Sequence, residues 1–305
     1  MKYLTGKNIE IDYSLGLGLG LAITIGKFDG LHRGHMALIA KLKEVAKKSK
    51  LATAMLTFTP HPATVLSGKD IPLILSGHEK IDLLKREGLD YYIEYPFTHQ
   101  FAQISPECFI RDIAFQQLHA RALIVGENFR FGKDGRGDVV LAKELGADLG
   151  LDVHITSLVT NNSAQINSEN IRKLVVSKDF DGVAQACGRH FFLVGEVVCG
   201  KKKGREMGFP TANIVPVANK LLPPIGVYIT ITHVDDVSGL SITNVGPDLV
   251  ETHILHYCGN LYGRTLRIDF HQWLRDMRNF RSPGELVQQL KNDAGDARDF
   301  FMNYL

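Results

Sequence analysis

The residues of this chain with the clearest chemical potential lie in the run GKFDGLHRGH, at residues 26–35. Its two histidines, His32 and His35, are three residues apart and follow a glycine-rich turn. The β-branched run LAITIG leads into this segment, and the helical pattern GHMALIAKLKEVAKK leads out of it. In a strand–turn–helix unit of this kind, backbone N–H groups and a helix N-terminus face a phosphate. Both imidazoles can then reach the same anion.

Adenylyl transfer is a chemistry that suits this arrangement. The protein then has to hold the attacking phosphate in line and stabilise charge on the α-phosphate and the departing pyrophosphate. We expect Phe28 and Asp29 to shape the turn. For an isolated HxGH, the alternative is a glycine-rich turn that carries two surface histidines.

The elements that must position these residues follow an alternating pattern. Five short apolar runs predict buried strands, namely LAITIG, LATAMLTF, DYYIEYPF, ALIVG and VHITSLV. Helical patterns lie between them: one has Ser76 as its N-cap and Gly88 as its stop, and another begins with Ser105 and Pro106. This order predicts an α/β domain with a parallel, Rossmann-like sheet covered on both faces.

The pattern changes near Gly188. The runs FLVGEVVCG, GVYITITHV, LSITNVG, VETHILHYC and RTLRIDFHQWL are separated by turn residues, which predicts a small antiparallel β-barrel. A closing helix is predicted to begin with a capping box from Ser282 to Glu285, with Pro283 at its first position. We therefore predict two domains, at residues 1–186 and 187–305.

A second candidate site lies in the run GEVVCGKKKGREMGFPTANI, at residues 195–214. Its glycines allow close backbone approach, and its basic side chains can meet phosphate oxygens. Thr211 and Asn213 offer neutral oxygen ligands, which is compatible with Mg²⁺ bridging two phosphates. The alternative is that KKKGR is a solvated hairpin tip.

Several motifs, in order, resemble those of the bacterial riboflavin kinase/FAD synthetase family. They are GKFDGLHRGH, TFTPHP, VGENFRFGKDGRGD and INSENIRKL in the first half, then the PTAN run, PPIGVYI and NLYGRTLRIDFHQWLRDMRNF. The resemblance implies an FMN adenylyltransferase domain that makes FAD and pyrophosphate from FMN and MgATP. It further implies a riboflavin kinase-like barrel that makes FMN from riboflavin and MgATP.

The resemblance also implies roles for individual residues. The implied catalytic residues are His32, His35, Asn128, Arg172 and Glu251, where Asn128 positions the FMN phosphate, Arg172 holds pyrophosphate and Glu251 is the base for the ribityl hydroxyl. The implied ATP-binding residues are Gly26, Phe28, Asp29, Gly30, Gly34, Ser168, Lys201, Gly204 and Arg205. The implied flavin-binding residues are His61, Phe129, Phe131, Arg275 and Phe280, and the implied metal ligands are Thr211 and Asn213.

The sequence departs from the family pattern in two places. Asn167 and Glu169 replace hydroxyl residues, and a carboxylate beside a triphosphate is unfavourable unless it points away or meets Mg²⁺. The segment NVGPDLVETHIL, before and around Glu251, is shortened and lacks the family's PTF. Two alternatives to a bifunctional enzyme therefore stay open: a monofunctional FAD synthetase with an inactive barrel, and a non-catalytic flavin-binding regulatory protein or carrier.

Composition bounds the remaining possibilities. A net charge of +2 over 305 residues gives no field that would by itself hold nucleic acid or an anionic membrane. The partners that the resemblance implies are small molecules, namely ATP, FMN and riboflavin. The four cysteines form no CxxC, which predicts a reducing compartment and small buried thiols. The apolar run LGLGLGLAITIG is too short and glycine-rich for a signal peptide or a membrane span, so we expect a cytoplasmic protein. The sequence indicates no particular oligomeric state.

Overall fold

The computed structural model describes residues 1–7, 9, 11, 20–157, 160–161, 164–200, 204 and 207–304. The chain forms two compact units, Met1–Ser168 and Glu169–Leu305. We predict the domain division after residue 186, which is 18 residues beyond Ser168, the last residue of the first unit. The predicted position of this division stays a prediction. No helix in the described part of the chain is long and apolar enough to cross a membrane.

The first unit is built on a six-stranded sheet in which every pairing is parallel, as predicted. Its strands are β1 (Lys2–Thr5), β2 (Leu21–Ile25), β3 (Ala52–Thr59), β4 (Tyr91–Pro96), β5 (Ala120–Gly126) and β6 (Asp152–Thr156). Their order is β1-β4-β3-β2-β5-β6, and every residue of β2 is buried. Because the chain passes from β2 to β3 on one side and returns to β5 on the other, β2 and β5 border the switch point of the sheet.

The helices of this unit are α1 (Arg33–Ser49), α2 (Pro62–Ser67), α3 (Gly77–Arg86), α4 (Pro106–Cys108) and α5 (Val139–Leu149), and α4 runs on as a π-helix (Phe109–Gln117). Helices α1, α3 and α4 begin at or within one residue of the predicted positions, whereas the sequence pattern predicts neither α2 nor α5. Ser76 caps α3 in a reciprocal capping box with Glu79. A short ribbon of β7 (Thr160–Asn161) and β8 (Ala164–Gln165) follows the sheet.

The second unit contains the predicted antiparallel barrel, which is closed in the order β10-β13-β12-β11-β14-β9. Its strands are β9 (Phe191–Val198), β10 (Ala212–Ile214), β11 (Gly226–Val234), β12 (Val237–Val245), β13 (Val250–Ile254) and β14 (Thr265–Arg275). The helices α6 (Ser168–Val176) and α7 (Phe180–Cys187) precede the barrel, and α8 (Pro283–Tyr304) follows it.

The predicted cap of α8 is present with one difference. The Glu285 backbone N–H donates to Ser282 Oγ at 3.2 Å. In a capping box the Glu285 carboxylate would accept from the backbone N–H of Ser282. It accepts instead from the backbone N–H of Arg281, at 2.8 Å. The helix then packs Ala294, Ala297 and Phe301 against the barrel's apolar outer face.

All four cysteines carry free thiols, and Cys187 is buried as predicted. The prediction of burial is wrong for the other three, since Cys108, Cys199 and Cys258 are exposed. Cys108 ends the short α4, whereas Cys199 and Cys258 lie just beyond strands, so none of the three occupies a core-facing position in a strand.

Candidate active sites

The first candidate site is the turn that joins β2 to α1. The Gly26 backbone N–H donates to the Leu56 carbonyl at 3.1 Å, which continues the pairing with β3 by one residue. The chain then takes left-handed backbone angles at Phe28 (φ 44°), Gly30 (φ 91°) and Leu31 (φ 41°). Such angles are costly for a phenylalanine or a leucine. Burial of both side chains, each 1% exposed, helps to hold this conformation.

His32 and His35 are brought together at the N-terminus of α1. His32 is the N-cap residue, and its Nδ1 accepts the backbone N–H of His35 at 3.3 Å. Because Nδ1 acts as an acceptor, the neutral His32 ring carries its hydrogen on Nε2. The two imidazoles stack with ring centroids 3.6 Å apart, and the Phe28 ring meets His35 edge-on at 5.0 Å. A Cβ at Gly34 would lie 3.1 Å from His32 Nδ1, so glycine gives the His32 ring its room.

Asp29 anchors the turn. It is 1% exposed, and its carboxylate accepts the backbone N–H of Ile74 at 3.0 Å. The Ser168 hydroxyl donates to the Asp29 carbonyl at 2.6 Å, which ties the turn to the last residue of the first unit. These contacts hold the turn in shape, as predicted for Asp29, and its contact with ATP stays a prediction.

Lys80 is a buried cation of this unit that the sequence pattern does not reveal. Burial lowers the pKa of Lys80, and the nearby carboxylates of Asp29 and Glu94 oppose that lowering. Lys80 is 9% exposed and lies on α3 between Glu79 and Ile81. No motif marks it, because one lysine on an amphipathic helix usually faces solvent.

The loop after β5 lies beside the turn after β2, since these two strands are neighbours and parallel. The Phe129 backbone N–H donates to the Gly126 carbonyl at 2.9 Å, and Asn128 is exposed at the loop surface. Phe131 exchanges backbone hydrogen bonds with Gly137 and belongs to the apolar core, whereas Phe129 is half-buried. The two rings stack with centroids 5.2 Å apart.

His61 is the N-cap of the short helix α2. Its Nδ1 accepts the backbone N–H of Ala63 at 3.2 Å, so this nitrogen serves the cap. The prolines on either side restrict the backbone around it. His61 thus has a structural role at the start of α2, while its contact with the flavin stays a prediction.

Glu169, which replaces a family hydroxyl, is directed toward a lysine of its own helix. Its carboxylate lies 2.9 Å from Lys173 Nζ, and this partner holds the pKa of Glu169 below its usual range. The charge is therefore compensated on the exposed surface of α6. Arg172, the implied pyrophosphate ligand, is half-buried on the same helix and belongs to the second unit.

The second candidate site lies on β10 and the loop before it. Lys201 and Arg205, two of the implied phosphate ligands, lie outside the described residues. Gly204 accepts the Phe209 backbone N–H at 2.8 Å, and a Cβ at Gly204 would clash with the Phe209 carbonyl. A Cβ at Gly200 would likewise clash with Asn213 Nδ2. These glycines permit the close backbone approach that the sequence predicts.

Asn213 and Glu251 occupy neighbouring positions on adjacent strands. Asn213 of β10 is the register partner of Glu251 of β13, and Asn244 of β12 is the register partner on its other side. Opposed side chains of this kind lie within about 5 Å at Cβ. Asn244 Nδ2 donates to Glu251 Oε2 at 3.2 Å, which orients the carboxylate. Among the described residues, the buried Oδ1 of Asn213 has no hydrogen-bond partner.

A cavity of about 270 Å³ opens beside this row of residues. It includes Thr211 and Asn213 on one side and the segment that follows β13 on the other. The described residues contain no group of three or more His, Cys, Asp or Glu side chains that could hold a metal ion. A cation here would therefore need oxygen ligands from amide, hydroxyl and phosphate groups.

The remaining implied flavin residues of the barrel lie at the end of β14. Arg275 forms a two-pronged ion pair with Asp293 of α8, with N–O distances of 2.9 and 2.7 Å. Asp293 is fully buried, so this pair fastens α8 to the barrel. Phe280, which follows β14 and precedes α8 in the chain, is half-buried. Their contact with a flavin stays a prediction.

Sequence reasoning missed Asn244 and the cavity wall that follows β13. The wall residues are Tyr257, Cys258, Gly259, Asn260, Leu261 and Tyr262. Strand alternation places Asn244 on the face of Glu251, but this relation requires the register between β12 and β13. The wall has no regular pattern from which its position could be inferred.

Comparison with known proteins gives matches to both halves of the chain. A family model described as FAD synthetase matches residues 19–170, and one described as riboflavin kinase matches residues 187–301. A protein of Listeria monocytogenes named bifunctional riboflavin kinase/FMN adenylyltransferase is 33% identical over 291 residues, covering 92% of each chain. A protein of the same name from Escherichia coli K12 is 32% identical over 294 residues, again covering 92% of each chain.

A crystal structure is also similar over nearly the whole chain. It is that of a Streptococcus pneumoniae protein described as a macrolide-efflux protein. The TM-score is 0.85 at 26% identity, with 97% of this chain and 98% of that chain covered.

Proposed function

This chain belongs to the bifunctional riboflavin kinase/FMN adenylyltransferase family, and we propose that it carries out both reactions, one in each unit. The barrel phosphorylates riboflavin to FMN, and the parallel-sheet unit adenylylates FMN to FAD. The observation that carries this proposal is that each unit brings together its own set of the candidate residues. One is the His32–His35 pair at the N-terminus of α1, and the other is the Asn213–Glu251 pair on β10 and β13.

In the adenylyl transfer, a phosphate oxygen of FMN attacks the α-phosphorus of ATP, and the bond to the β-phosphate breaks to release pyrophosphate. Negative charge builds up on the α-phosphate oxygens and on the leaving group. The N–H groups at the start of α1 and the Nε2–H of His32 are donors suited to that charge. Helix α1 carries no acidic residue in its first turn that would repel the anion. Asn128 positions the FMN phosphate.

In the kinase reaction, Glu251 accepts the proton of the terminal ribityl hydroxyl, whose oxygen attacks the γ-phosphorus of ATP while ADP departs. A carboxylate within hydrogen-bond reach of a hydroxyl is a normal general-base arrangement. The amide of Asn244 holds Oε2 of Glu251 at 3.2 Å and thereby fixes the direction in which the carboxylate faces.

The residues around Asn213 fit Mg²⁺. The buried Asn213 Oδ1, which lacks a hydrogen-bond partner in the described part of the chain, is a hard oxygen ligand of the kind Mg²⁺ prefers. Thr211 supplies a second such oxygen two residues earlier on the cavity wall. When bound, Mg²⁺ would neutralise phosphate charge and align the β- and γ-phosphates. The protein's own contribution is to hold these two oxygens in place.

One observation favours a second candidate, a monofunctional FAD synthetase with a silent barrel. The hairpin between β12 and β13 has only four connecting residues, 246–249, and is closed by a hydrogen bond from Gly246 N–H to the Leu249 carbonyl at 2.9 Å. A flavin's ring system is largely apolar, so a lost loop removes part of its pocket wall. The retained Asn213–Glu251 pair nevertheless supports an active kinase.

The test is to incubate the purified protein with MgATP and either riboflavin or FMN, and then to separate the flavins by chromatography. Two active sites convert both inputs to FAD. A silent barrel yields FAD from FMN alone, and a flavin carrier yields no new flavin from either input. We also propose a cytoplasmic location, which the four free thiols support.

A further inference from the structure

His253 lies beside the kinase site without belonging to any phosphate or flavin motif. It follows Glu251 by two residues on β13, so their side chains lie on the same face of the strand. Both are half-buried. A histidine at this place can contact the loop that leads into β10.

The His253 ring contacts the residues that precede Thr211. Its Nδ1 lies 2.7 Å from the Pro210 carbonyl oxygen, and its ring centroid lies 5.2 Å from that of Phe209. A carbonyl oxygen can only accept, so Nδ1 carries the hydrogen. Burial lowers the pKa of His253 and His256 adds to the lowering, while the hydrogen bond to Pro210 opposes it. At neutral pH the ring is therefore the neutral Nδ1–H tautomer.

This hydrogen bond lies where the strand pairing ends. From Ala212 onward, the backbone of β10 is held by pairing with β13. Thr211 is exposed and precedes that pairing by one residue. Proline has no N–H to donate, so the carbonyl is the only backbone polar group through which Pro210 can be anchored. The His253 contact thus fixes the chain on the near side of Thr211, as the strand ladder fixes it on the far side.

We propose that His253 is a positioning residue of the barrel site, which holds Thr211 beside Asn213 in the arrangement that binds Mg²⁺ and nucleotide phosphates. This inference rests on the proposed kinase function of the barrel. His253 acts through the Pro210 carbonyl and touches neither substrate nor metal. Residues that orient metal ligands without touching the metal typically cost about 10- to 100-fold in metal affinity or activity when they are substituted.

Two substitutions separate the hydrogen bond from the bulk of the ring. The substitution His253→Leu removes the donor, whereas His253→Asn keeps an N–H group near the position of Nδ1. The matched control is His233→Leu on β11, because His233 Nδ1 makes a hydrogen bond of the same length, 2.7 Å, to Ser238 Oγ in the same barrel. Formation of FAD from FMN, measured on each variant, reports on the first unit and on the amount of folded protein.

The deciding measurement is calorimetric titration of the full chain with ADP over a range of Mg²⁺ concentrations, alongside riboflavin phosphorylation. We expect His253→Leu to weaken Mg²⁺-dependent ADP binding and to lower phosphorylation by about 10- to 100-fold. We expect His253→Asn to recover most of both, and His233→Leu to match the unsubstituted protein.

The inference is overturned if His253→Leu binds MgADP as tightly as the unsubstituted protein, or if His253→Asn is as impaired as His253→Leu. If the unsubstituted protein binds MgADP but never phosphorylates riboflavin, the kinase function fails, and the binding data still decide the role of His253. A protein that does not bind MgADP in the barrel overturns both.

Discussion

At the residue scale, the chemistry of each site depends on how one side chain is held by its neighbours. His32 caps α1 through Nδ1, and this contact places the ring hydrogen on Nε2, which we propose as a donor toward a phosphate. Glu251 is directed by the amide of Asn244. The candidate residues of both sites could be named from the sequence, although only His32 and His35 could be placed side by side. The hydrogen bonds that orient them could not be predicted, because Asn244 and Lys80 become neighbours of the sites only through strand register and helix packing.

The substitution His32→Asn tests the donor role of His32 apart from its capping role. Asparagine is a good N-cap residue, so α1 keeps its cap while the Nε2–H is lost. We expect FAD formation from FMN to fall by about 100-fold or more, as for removal of one transition-state donor. Riboflavin phosphorylation should be unchanged. The control is His78→Asn on the exposed surface of α3, and equal FAD synthesis in both variants would rule out the proposed role.

The substitution Glu251→Gln tests the general base. It keeps the size of the side chain and removes the proton acceptor, so we expect kcat for riboflavin phosphorylation to fall by about 100-fold or more. The KM for riboflavin should change little, and FAD formation from FMN should persist. The matched control is Glu196→Gln, an exposed glutamate on β9 of the same barrel. A Glu251→Gln variant with normal kcat would exclude Glu251 as the base.

At the element scale, long periodic segments could be predicted and short or irregular ones could not. The five strands from LAITIG to VHITSLV and the capped helix α3 follow directly from apolar pattern and end signals. The strands β1 and β10 have only four and three residues, too few to show a period of two. The π-helical geometry of Phe109–Gln117 has no compositional signal that distinguishes it from an α-helix.

The attachment of α8 to the barrel depends on the Arg275–Asp293 pair, in which Asp293 is fully buried. The substitution Asp293→Ala leaves a largely buried guanidinium without its partner, which costs about 3–5 kcal/mol of unfolding free energy. Chemical denaturation followed by circular dichroism measures this loss. The control Asp82→Ala breaks the exposed pair with Lys85 and should cost less than about 1 kcal/mol. Equal stability of the two variants would contradict the anchoring role.

The contact between β14 and α8 also makes the second unit sensitive to acid. Burial, followed by repulsion from His190, lowers the pKa of His271 from its ordinary value of 6.5 to about 4, with His233 adding to and Asp269 opposing the shift. Between these two pH values the unfolded chain binds a proton that the folded chain does not. This contribution to stability is therefore complete above about pH 6.5 and is lost as the pH falls toward 4.

Thermal melts between pH 7 and pH 4 test this sign. We expect His271→Gln to have a lower Tm than the unsubstituted protein at pH 7 but a shallower decline of Tm toward pH 4. The control His78→Gln, on an exposed histidine, should follow the unsubstituted profile. A steeper or equal decline for His271→Gln would show that His271 is not the group that titrates.

At the scale of the whole molecule, the chain combines two compact units with different architectures and separate candidate sites. The two classes of fold could be predicted because each unit has its own pattern: strands alternating with helices first, then strands separated by turns. The short β12–β13 hairpin was also visible in the sequence. The cavity wall that follows β13 was not, because that segment has no regular pattern.

Separate sites predict separable activities. In the His32→Asn variant, riboflavin should accumulate as FMN, since the barrel still works and the second step does not. In the Glu251→Gln variant, riboflavin should remain unchanged while added FMN becomes FAD. Mixing the two variants should restore conversion of riboflavin to FAD through free FMN, as each supplies the step the other lacks. Chromatography of the flavins follows all three cases, and failure of the mixture would contradict independent sites.

The most direct test of the central claim is incubation of the unsubstituted protein with riboflavin and MgATP, with FMN as a parallel input and chromatographic separation of the products. Two working sites predict FAD from both inputs, with FMN as a transient species when riboflavin is supplied. FAD from FMN alone would contradict the claim that both units are catalytic.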